Sequence, residues 1–270
     1  MIEIDGFLPE AKELAVRAGA RLRELFNTPL VRERKADRSL VTNADRESDE
    51  LLRSGLRKAF PSHAVLSEEA VLEGPVSDYV WLVDPLDGTK AFAEGRPGFC
   101  VMLGLLWKEM PVVGVVYEPL EDHLTWAAKG GGCFHSQGGE ARRVRVSDRS
   151  DLSRMPVVTS TGLTPAMEEH LRKNFSGPLL EPINSVGVKI GYLVRQAADF
   201  YVNHHLVHMW DTCAPGVILE EAGGVMTLWD GTPLTYTVSG PSRHPGPTAA
   251  SNGRRHPEFL KILSTFPSRP

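Results

Sequence analysis

The 270 residues carry 30 Lys and Arg against 34 Asp and Glu, and the formal net charge of −4 is spread over mixed-sign sequence with no block of like charge. That balance argues against a surface that coats a nucleic-acid polymer, while 41% hydrophobic content is ample for one large domain or two intimate ones. Three cysteines, Cys100, Cys133 and Cys213, lie far apart without CxxC spacing, so neither a disulfide framework nor a zinc site is indicated and a reducing cytoplasm fits best.

Glu3, Asp5 and Glu10 stand where a signal peptide would be basic, and no apolar run approaches the roughly 18 residues of a membrane span. A soluble, unprocessed chain away from membranes is expected. Residues 9 to 26 place Ala11, Leu14, Ala15, Ala18, Leu22, Leu25 and Phe26 on one stripe at helical spacing, which predicts a packing helix. A polar loop over 32 to 39 follows. Thr42-Asn-Ala-Asp45 then matches the Ser/Thr-x-x-acid box that opens a helix, predicted to run to about Phe60 and stop at Pro61. In that box Asp45 is either a reciprocal cap and nothing more, or an acid with a second task.

Val80 to Val83 read as a short buried strand, and Pro85 is expected to force the chain out of any ladder, so that Asp84 and Asp87 fall in the following turn. Gly88 and Thr89 leave backbone N–H groups to point at an anion if a helix starts there. Two acids three residues apart beside such a turn are what a divalent cation holding a phosphate needs, hard oxygen ligands on one side and amide donors on the other. Taken as isolated dipeptides, Asp-Pro and Asp-Gly also describe an ordinary solvated turn.

Phe99 to Trp107, Val112 to Tyr117 and His123 to Ala128 read as consecutive strands of an antiparallel sheet backed by the first two helices. Gly130-Gly-Gly132 lacks the Gly-Lys-Ser/Thr ending of a phosphate loop. The polar stretch 146 to 155 looks like a join, which divides the chain into an N-terminal α+β half, 1–150, and a C-terminal α/β half, 151–270. In the second half strands are expected at 157–160, 200–202 and 225–229. Helices are expected at 164–174, 186–198, from Trp210 to Gly223-Gly224, and at 255–266. Asp211, followed by Thr212-Cys-Ala-Pro215, suits an N-cap. His204 and His208 have the spacing of two zinc ligands on one helix face, with His205 between them, but the flanking residues do not read as helix.

Asp84-Pro-Leu-Asp-Gly-Thr-Lys-Ala-Phe92, the preceding Ser67-Glu68-Glu69 and the distant Trp210-Asp-Thr-Cys-Ala-Pro-Gly-Val-Ile-Leu-Glu-Glu-Ala-Gly-Gly224 together resemble the signatures of the inositol monophosphatase family of magnesium-dependent, lithium-sensitive phosphatases. The resemblance implies an α+β / α/β fold, a layered αβαβα sandwich shared with fructose-1,6-bisphosphatases. It implies that Glu68, Asp84, Asp87, Asp211 and the backbone carbonyl of Leu86 hold two or three Mg²⁺ ions. It further implies that Thr89, hydrogen-bonded to Asp45, helps with Glu68 to align and activate the attacking water. Gly88, Thr89, Ser185, Lys189 and His204 would contact substrate, Lys35 would belong to a loop closing near a third metal, and members are often dimers. The physical logic agrees: acids far apart in sequence converge only by folding, and several like charges in one place repel unless cations neutralise them.

The implied substrate is a small phosphorylated metabolite. Within the wider superfamily, Trp210-Asp-Thr-Cys-Ala-Pro resembles the 3'(2'),5'-bisphosphate nucleotidases more than the inositol enzymes. His204 stands where the latter carry a hydroxyl-gripping acid, and Lys189 corresponds to a lysine near the nucleotidases' second phosphate. Adenosine 3',5'-bisphosphate hydrolysed to AMP is therefore the expected reaction, with inositol 1-phosphate and fructose 1,6-bisphosphate as alternatives because the intervening residues follow the inositol pattern. A non-catalytic regulator that binds a phosphometabolite is the competing class, but it should have lost a metal acid or the Thr–Asp pair, and none is lost.

Overall fold

The computed structural model describes residues 4–34 and 40–266. Helix α1 (Leu8–Leu25) is followed by the short antiparallel pair β1 (Arg32–Arg34) and β2 (Leu40–Thr42), then by α2 (Asn43–Ala59). Strands β3 (Ala64–Ser67), β4 (Tyr79–Asp87), β5 (Cys100–Trp107), β6 (Met110–Glu118), β7 (His123–Ala128), β8 (Gly132–Gln137) and β9 (Arg142–Val144) pair in sequence order, with the short helix α3 (Thr89–Ala93) between β4 and β5. Only the β3–β4 pair is parallel; the rest form an antiparallel meander. The remaining elements are β10 (Val157–Thr159), α4 (Pro165–Asn174), α5 (Val186–Val194), β11 (Phe200–Asn203), α6 (Met209–Glu221), β12 (Val225–Leu228), β13 (Thr248–Ser251) and α7 (His256–Ser264). Their four strands pair in the order β10-β11-β13-β12, the first pair parallel and the others antiparallel.

Burial arranges these elements in five layers. Leu14, Ala18 and Leu22 of α1 and Leu52 and Leu56 of α2 pack on Trp81, Leu103, Val115 and Tyr117 of the large sheet. The opposite face of that sheet, through Cys100, Met102 and Val116, meets Val188 and Ile190 of α5 and Ala214 and Ile218 of α6, which also touch Tyr201 and Ala250 of the small sheet. Beyond the small sheet, Val157, Phe200, Val202 and Ala249 are covered by Leu171 of α4 and by Phe259 and Leu263 of α7. A sheet covered on both faces needs apolar residues at every position, which is why β5 reads as a continuous hydrophobic run and not as an alternation. The expected αβαβα sandwich is the observed fold.

Helix α6 lies unusually close to the large sheet because Gly104 and Gly114 face each other across β5 and β6 directly beneath it. A Cβ on Gly114 would come within 2.3 Å of the Ala214 carbonyl oxygen, and one on Gly104 within 2.5 Å of Cys213 Sγ. The same approach fixes the start of α6, and with it Asp211, relative to the sheet.

Three expectations are corrected. Strand β4 does not end before Pro85 but runs through Asp87, because Asp84 pairs with Met102 and Asp87 with Cys100, leaving Pro85 and Leu86 in a bulge. A bulged position needs no ladder N–H, so proline is tolerated there. Helix α5 stops at Val194 rather than Ala198, where the chain turns through the left-handed Gln196. Helix α6 begins at Met209 with His208 as its N-cap, so Asp211 is the third helical residue and not the cap, and Pro215 lies inside the helix. Strands β1, β2, β3, β8, β9 and β13 were not anticipated, and Arg32–Arg34, expected at the start of a polar loop, is the strand that pairs with Leu40–Thr42. Lys35 lies outside the described residues, among which no helix is long and apolar enough to cross a membrane.

Candidate active site

The bulge in β4 turns Asp84 and Asp87 toward the start of α6, and both side chains are deeply buried, with relative exposures of 1% and 8%. Asp211 meets them from α6, its carboxyl beside that of Asp84. Glu68 follows β3, where its amide donates to the Val83 carbonyl at 3.0 Å. Its charge, like those of Asp87 and Asp211, raises the Asp84 carboxyl further above the ordinary range, although burial is the largest cause. Asp211 is raised well above that range for the same reasons, burial first and then Glu68 and Asp87.

In each aspartate one oxygen is held by the protein. Asp84 Oδ1 accepts from the Leu86 amide at 3.1 Å. Asp211 Oδ2 accepts from the His208 amide at 2.6 Å, closing the first turn of α6. Asp87 Oδ2 accepts from the Ser185 hydroxyl at 2.6 Å and the Gly187 amide at 2.8 Å. Burial raises the Asp87 carboxyl, and these two donors together with the Lys189 charge oppose the rise. Carboxylates pinned by one oxygen keep a second for a ligand, and orientation is thereby set by the fold.

Asp45 repeats the pattern at the third residue of α2. Its Oδ2 accepts from the Thr42 amide at 2.7 Å and the Thr42 hydroxyl at 2.6 Å, while its Oδ1 accepts from the Thr89 hydroxyl at 2.9 Å. The capping and linking readings of Asp45 are thus both realised, one on each oxygen. Burial raises its pKa against the pull of the Thr42 and Thr89 hydrogen bonds. Thr89 Oγ1 also lies 3.1 Å from the Leu86 carbonyl, which brings the dyad to the acids. Gly88, at φ 98°, makes the turn between β4 and α3, and a Cβ there would come within 2.7 Å of the Gly98 carbonyl oxygen.

The acids floor a cleft of about 590 Å³, into which Glu68, Asp87 and Asp211 open. Its walls are Asn184, Asn203, His205, His208, Trp210 and Arg243. The rings of His208 and Trp210 are stacked, with centroids 4.5 Å apart and planes within 5°, and Arg243 Nε lies 3.4 Å from His208 Nε2. Trp210 packs with Met209 and Tyr236 and also lines the cleft. Asn184, Asn203 and Arg243 carried no sequence signal, and His205 was noted only within the histidine cluster. Arg243 arrives from a Pro/Gly-rich loop that a lone bridge pairs with His208.

Three expected substrate contacts are placed otherwise. Ser185 is fully buried, and its hydroxyl is spent on Asp87 and on capping α5 through the Val188 amide at 3.0 Å. The Lys189 ammonium, also fully buried, donates to Ser160 Oγ, the Ile183 carbonyl and the Asn184 carbonyl at 2.9, 2.8 and 3.1 Å, so all three of its protons are engaged by the protein. Burial lowers its pKa to about 7 against the charges of Asp87 and Asp211. His204 lies against His205, with ring centroids 3.8 Å apart and planes tilted by 42°, and does not line the cleft. Nor do His204 and His208 share a helix face, since 204–207 is irregular and His208 only caps α6.

Among the described residues, no three His, Cys, Asp or Glu side chains already close around one point. The acids instead repel one another, a state that cations would relieve. The donor set, carboxylates and the Leu86 carbonyl, is entirely hard oxygen and suits Mg²⁺ better than zinc.

The sequence model of the inositol monophosphatase family matches residues 4–265. A fructose-1,6-bisphosphatase/inositol-1-monophosphatase of Aquifex aeolicus is 34% identical over 84% of this chain and 88% of its own. A histidinol-phosphatase of Mycobacterium tuberculosis is 34% identical over 94% of this chain and 96% of its own. The solved inositol monophosphatase of Anabaena (Nostoc) sp. PCC 7120 superposes with a TM-score of 0.78 at 31% identity, covering 97% of both chains. With its layers, its acidic floor and this breadth of match, the chain belongs to the inositol monophosphatase family, whose members are phosphatases and generally depend on Mg²⁺.

Proposed function

We propose that the protein hydrolyses a small phosphomonoester with Mg²⁺, the scissile phosphate lying over Glu68, Asp84, Asp87 and Asp211. The observation that carries this reading is the Asp45–Thr89 hydrogen bond beside the Leu86 carbonyl, because it sets a hydroxyl with a buried carboxylate behind it next to the acidic floor. Bound Mg²⁺ would neutralise the carboxylates and the phosphate and acidify a water. Thr89 donates its own proton to Asp45, so its lone pairs remain to accept a proton from a water on the cleft side; Asp45 holds that orientation and can take the charge. Glu68, which also lines the cleft, would help to align the same water.

Adenosine 3',5'-bisphosphate was the expected substrate on the strength of the Trp210-Asp-Thr-Cys-Ala-Pro segment, Lys189 and His204, and neither of these last two lines the cleft. A second phosphate would instead meet Arg243, the Lys or Arg that lines the cleft among the described residues. The match to relatives named for inositol phosphate, fructose bisphosphate and histidinol phosphate favours a substrate with one phosphate at the floor and a polar body against His208, Trp210 and Arg243. The test is phosphate release with Mg²⁺ from inositol 1-phosphate, histidinol phosphate, fructose 1,6-bisphosphate and adenosine 3',5'-bisphosphate. Release from at least one supports the reading, and a kcat/KM preference for either bisphosphate that Arg243→Ala abolishes assigns the second phosphate to that residue. Release from none overturns it. Lithium, competing for a Mg²⁺ position, should inhibit.

A further inference from the structure

Lys189 is a fully buried cation one turn into α5, yet it does not line the cleft. Its three hydrogen bonds run to two separate segments. Two of them, to the carbonyls of Ile183 and Asn184, hold the stretch that carries Asn184 into the cleft and Ser185 onto Asp87. The third goes to Ser160 at the end of β10, and Ser160 in turn donates to Asn203 Oδ1 at 2.7 Å. Asn203 Oδ1 also accepts from the His205 amide at 3.2 Å, so the relay ends on two further wall residues. Thr161 cross-links the same two segments, its hydroxyl donating to Asn184 Oδ1 at 3.2 Å and its carbonyl lying 3.1 Å from His205 Nε2. The Tyr201 ring closes the remaining side, with its centroid 5.1 Å from Nζ.

A buried ammonium is costly unless every proton is satisfied, and one that satisfies two carbonyls and a relayed hydroxyl fixes all three acceptors in one geometry. We propose that Lys189 is a positioning residue, a buried hub that holds the Asn184 wall and the Asn203–His205 wall in register with each other and, through Ser185, with Asp87. Its effect on catalysis is transmitted and not direct. The inference rests on the acidic floor being the metal site. It differs from a phosphate-binding role in one respect: a hub serves every substrate alike, whereas a contact to a second phosphate serves only substrates that have one.

The experiment uses the full-length protein and three variants, Lys189→Met, Ser160→Ala and their double. Mg²⁺ affinity is measured by calorimetry without substrate, and KM and kcat are measured on inositol 1-phosphate and fructose 1,6-bisphosphate, or on any mono- and bisphosphate the wild type hydrolyses. Loss of a group that orients metal ligands from behind typically costs on the order of 10- to 100-fold in affinity, so Lys189→Met is expected to weaken Mg²⁺ by that factor. It should raise KM for the two substrates by the same ratio. Ser160→Ala should raise both KM values less, and the double variant should be no worse than Lys189→Met, because one relay carries both effects. Unchanged Mg²⁺ affinity with KM raised for the bisphosphate alone would overturn the proposal in favour of direct contact, and no change in any quantity would overturn it outright. If Lys189→Met does not fold, Ser160→Ala decides: equal KM increases support the hub, and unaltered KM values refute it. A wild type that binds no Mg²⁺ refutes the metal site itself, an outcome distinct from a wild type that binds while Lys189→Met matches it.

Discussion

Thr89 Oγ1 lies 2.9 Å from Asp45 Oδ1, joining the first turn of α3 to the first turn of α2 through the same carboxylate that caps α2. One acid therefore serves fold and chemistry on different oxygens, and substitution should separate the two.

Asp45→Asn can keep only one of these oxygens. If the remaining oxygen stays with the Thr42 amide, the new NH₂ faces Thr89, which then becomes an acceptor and loses the carboxylate behind it. Asp45→Asn and Thr89→Val are each expected to lower kcat by about 10²- to 10⁴-fold. The double variant should be no worse than either single one. Stability should fall by no more than about 1 kcal/mol, since the cap survives. Full kcat in Asp45→Asn would leave that residue a cap only.

Without cations the acidic floor works against folding. The folded-state carboxyls of Asp84 and Asp211 sit above their unfolded values, so their cost is absent at low pH and fully present once pH exceeds the folded pKa. Asp84→Asn should remove part of that cost and stabilise the metal-free protein at pH 8 by about 1 kcal/mol, a rise in Tm of about 2–4 °C. Mg²⁺ should raise the Tm of the wild type but barely that of the variant. A variant less stable than the wild type without metal would contradict the repulsion argued for the site.

Gly114→Ala tests how the sheet positions Asp211. The added Cβ meets the Ala214 backbone, which cannot swing aside, so a loss of about 1–3 kcal/mol in urea unfolding is expected as α6 shifts outward. Mg²⁺ affinity should fall with it, because Asp211 moves with the helix. Unchanged affinity in a destabilised variant would show that the start of α6 is held independently.

His256 is buried between Thr227 Oγ1 at 2.9 Å and Ser251 Oγ at 3.0 Å, and burial alone lowers its pKa from 6.5 to about 4. The native state thus resists a proton that the unfolded chain accepts. Stability from this residue is full above about pH 6.5 and is lost as pH falls toward 4, by about 3 kcal/mol at most. His256→Asn keeps a hydrogen bond but does not titrate, so the stability difference between wild type and variant should shrink from pH 7 to pH 5. A pH-independent difference would mean that the fold leaves the His256 pKa at its unfolded value.

What the chain discloses about itself divides along physical lines. The helices α1 and α2, the meander and the acids were legible because periodicity, a capping box and closely spaced carboxylates are local signals. Pro85 misled because proline excludes a ladder position only where an N–H is needed, and the bulge that removes the need depends on β5. Lys189 and Ser185 misled in a different way. Their chemistry is polar and their positions adjoin the site, but whether a polar group faces a cleft or the interior depends on acceptors such as Ser160 and Asn184, brought together only by folding. Arg243 was silent for the same reason, since nothing near it in sequence announces that a bridge to His208 carries it to the wall.

The central claim, that Asp84, Asp87, Asp211 and Glu68 form a cation site that drives phosphate hydrolysis, is tested most directly by titrating Mg²⁺ into a phosphate-release assay of the wild type and Asp211→Asn. Wild-type release should rise to saturation with Mg²⁺ and vanish with EDTA, with Asp211→Asn at background throughout the same range. Release that persists in EDTA, or that Asp211→Asn sustains at the Mg²⁺ concentrations that saturate the wild type, would contradict it.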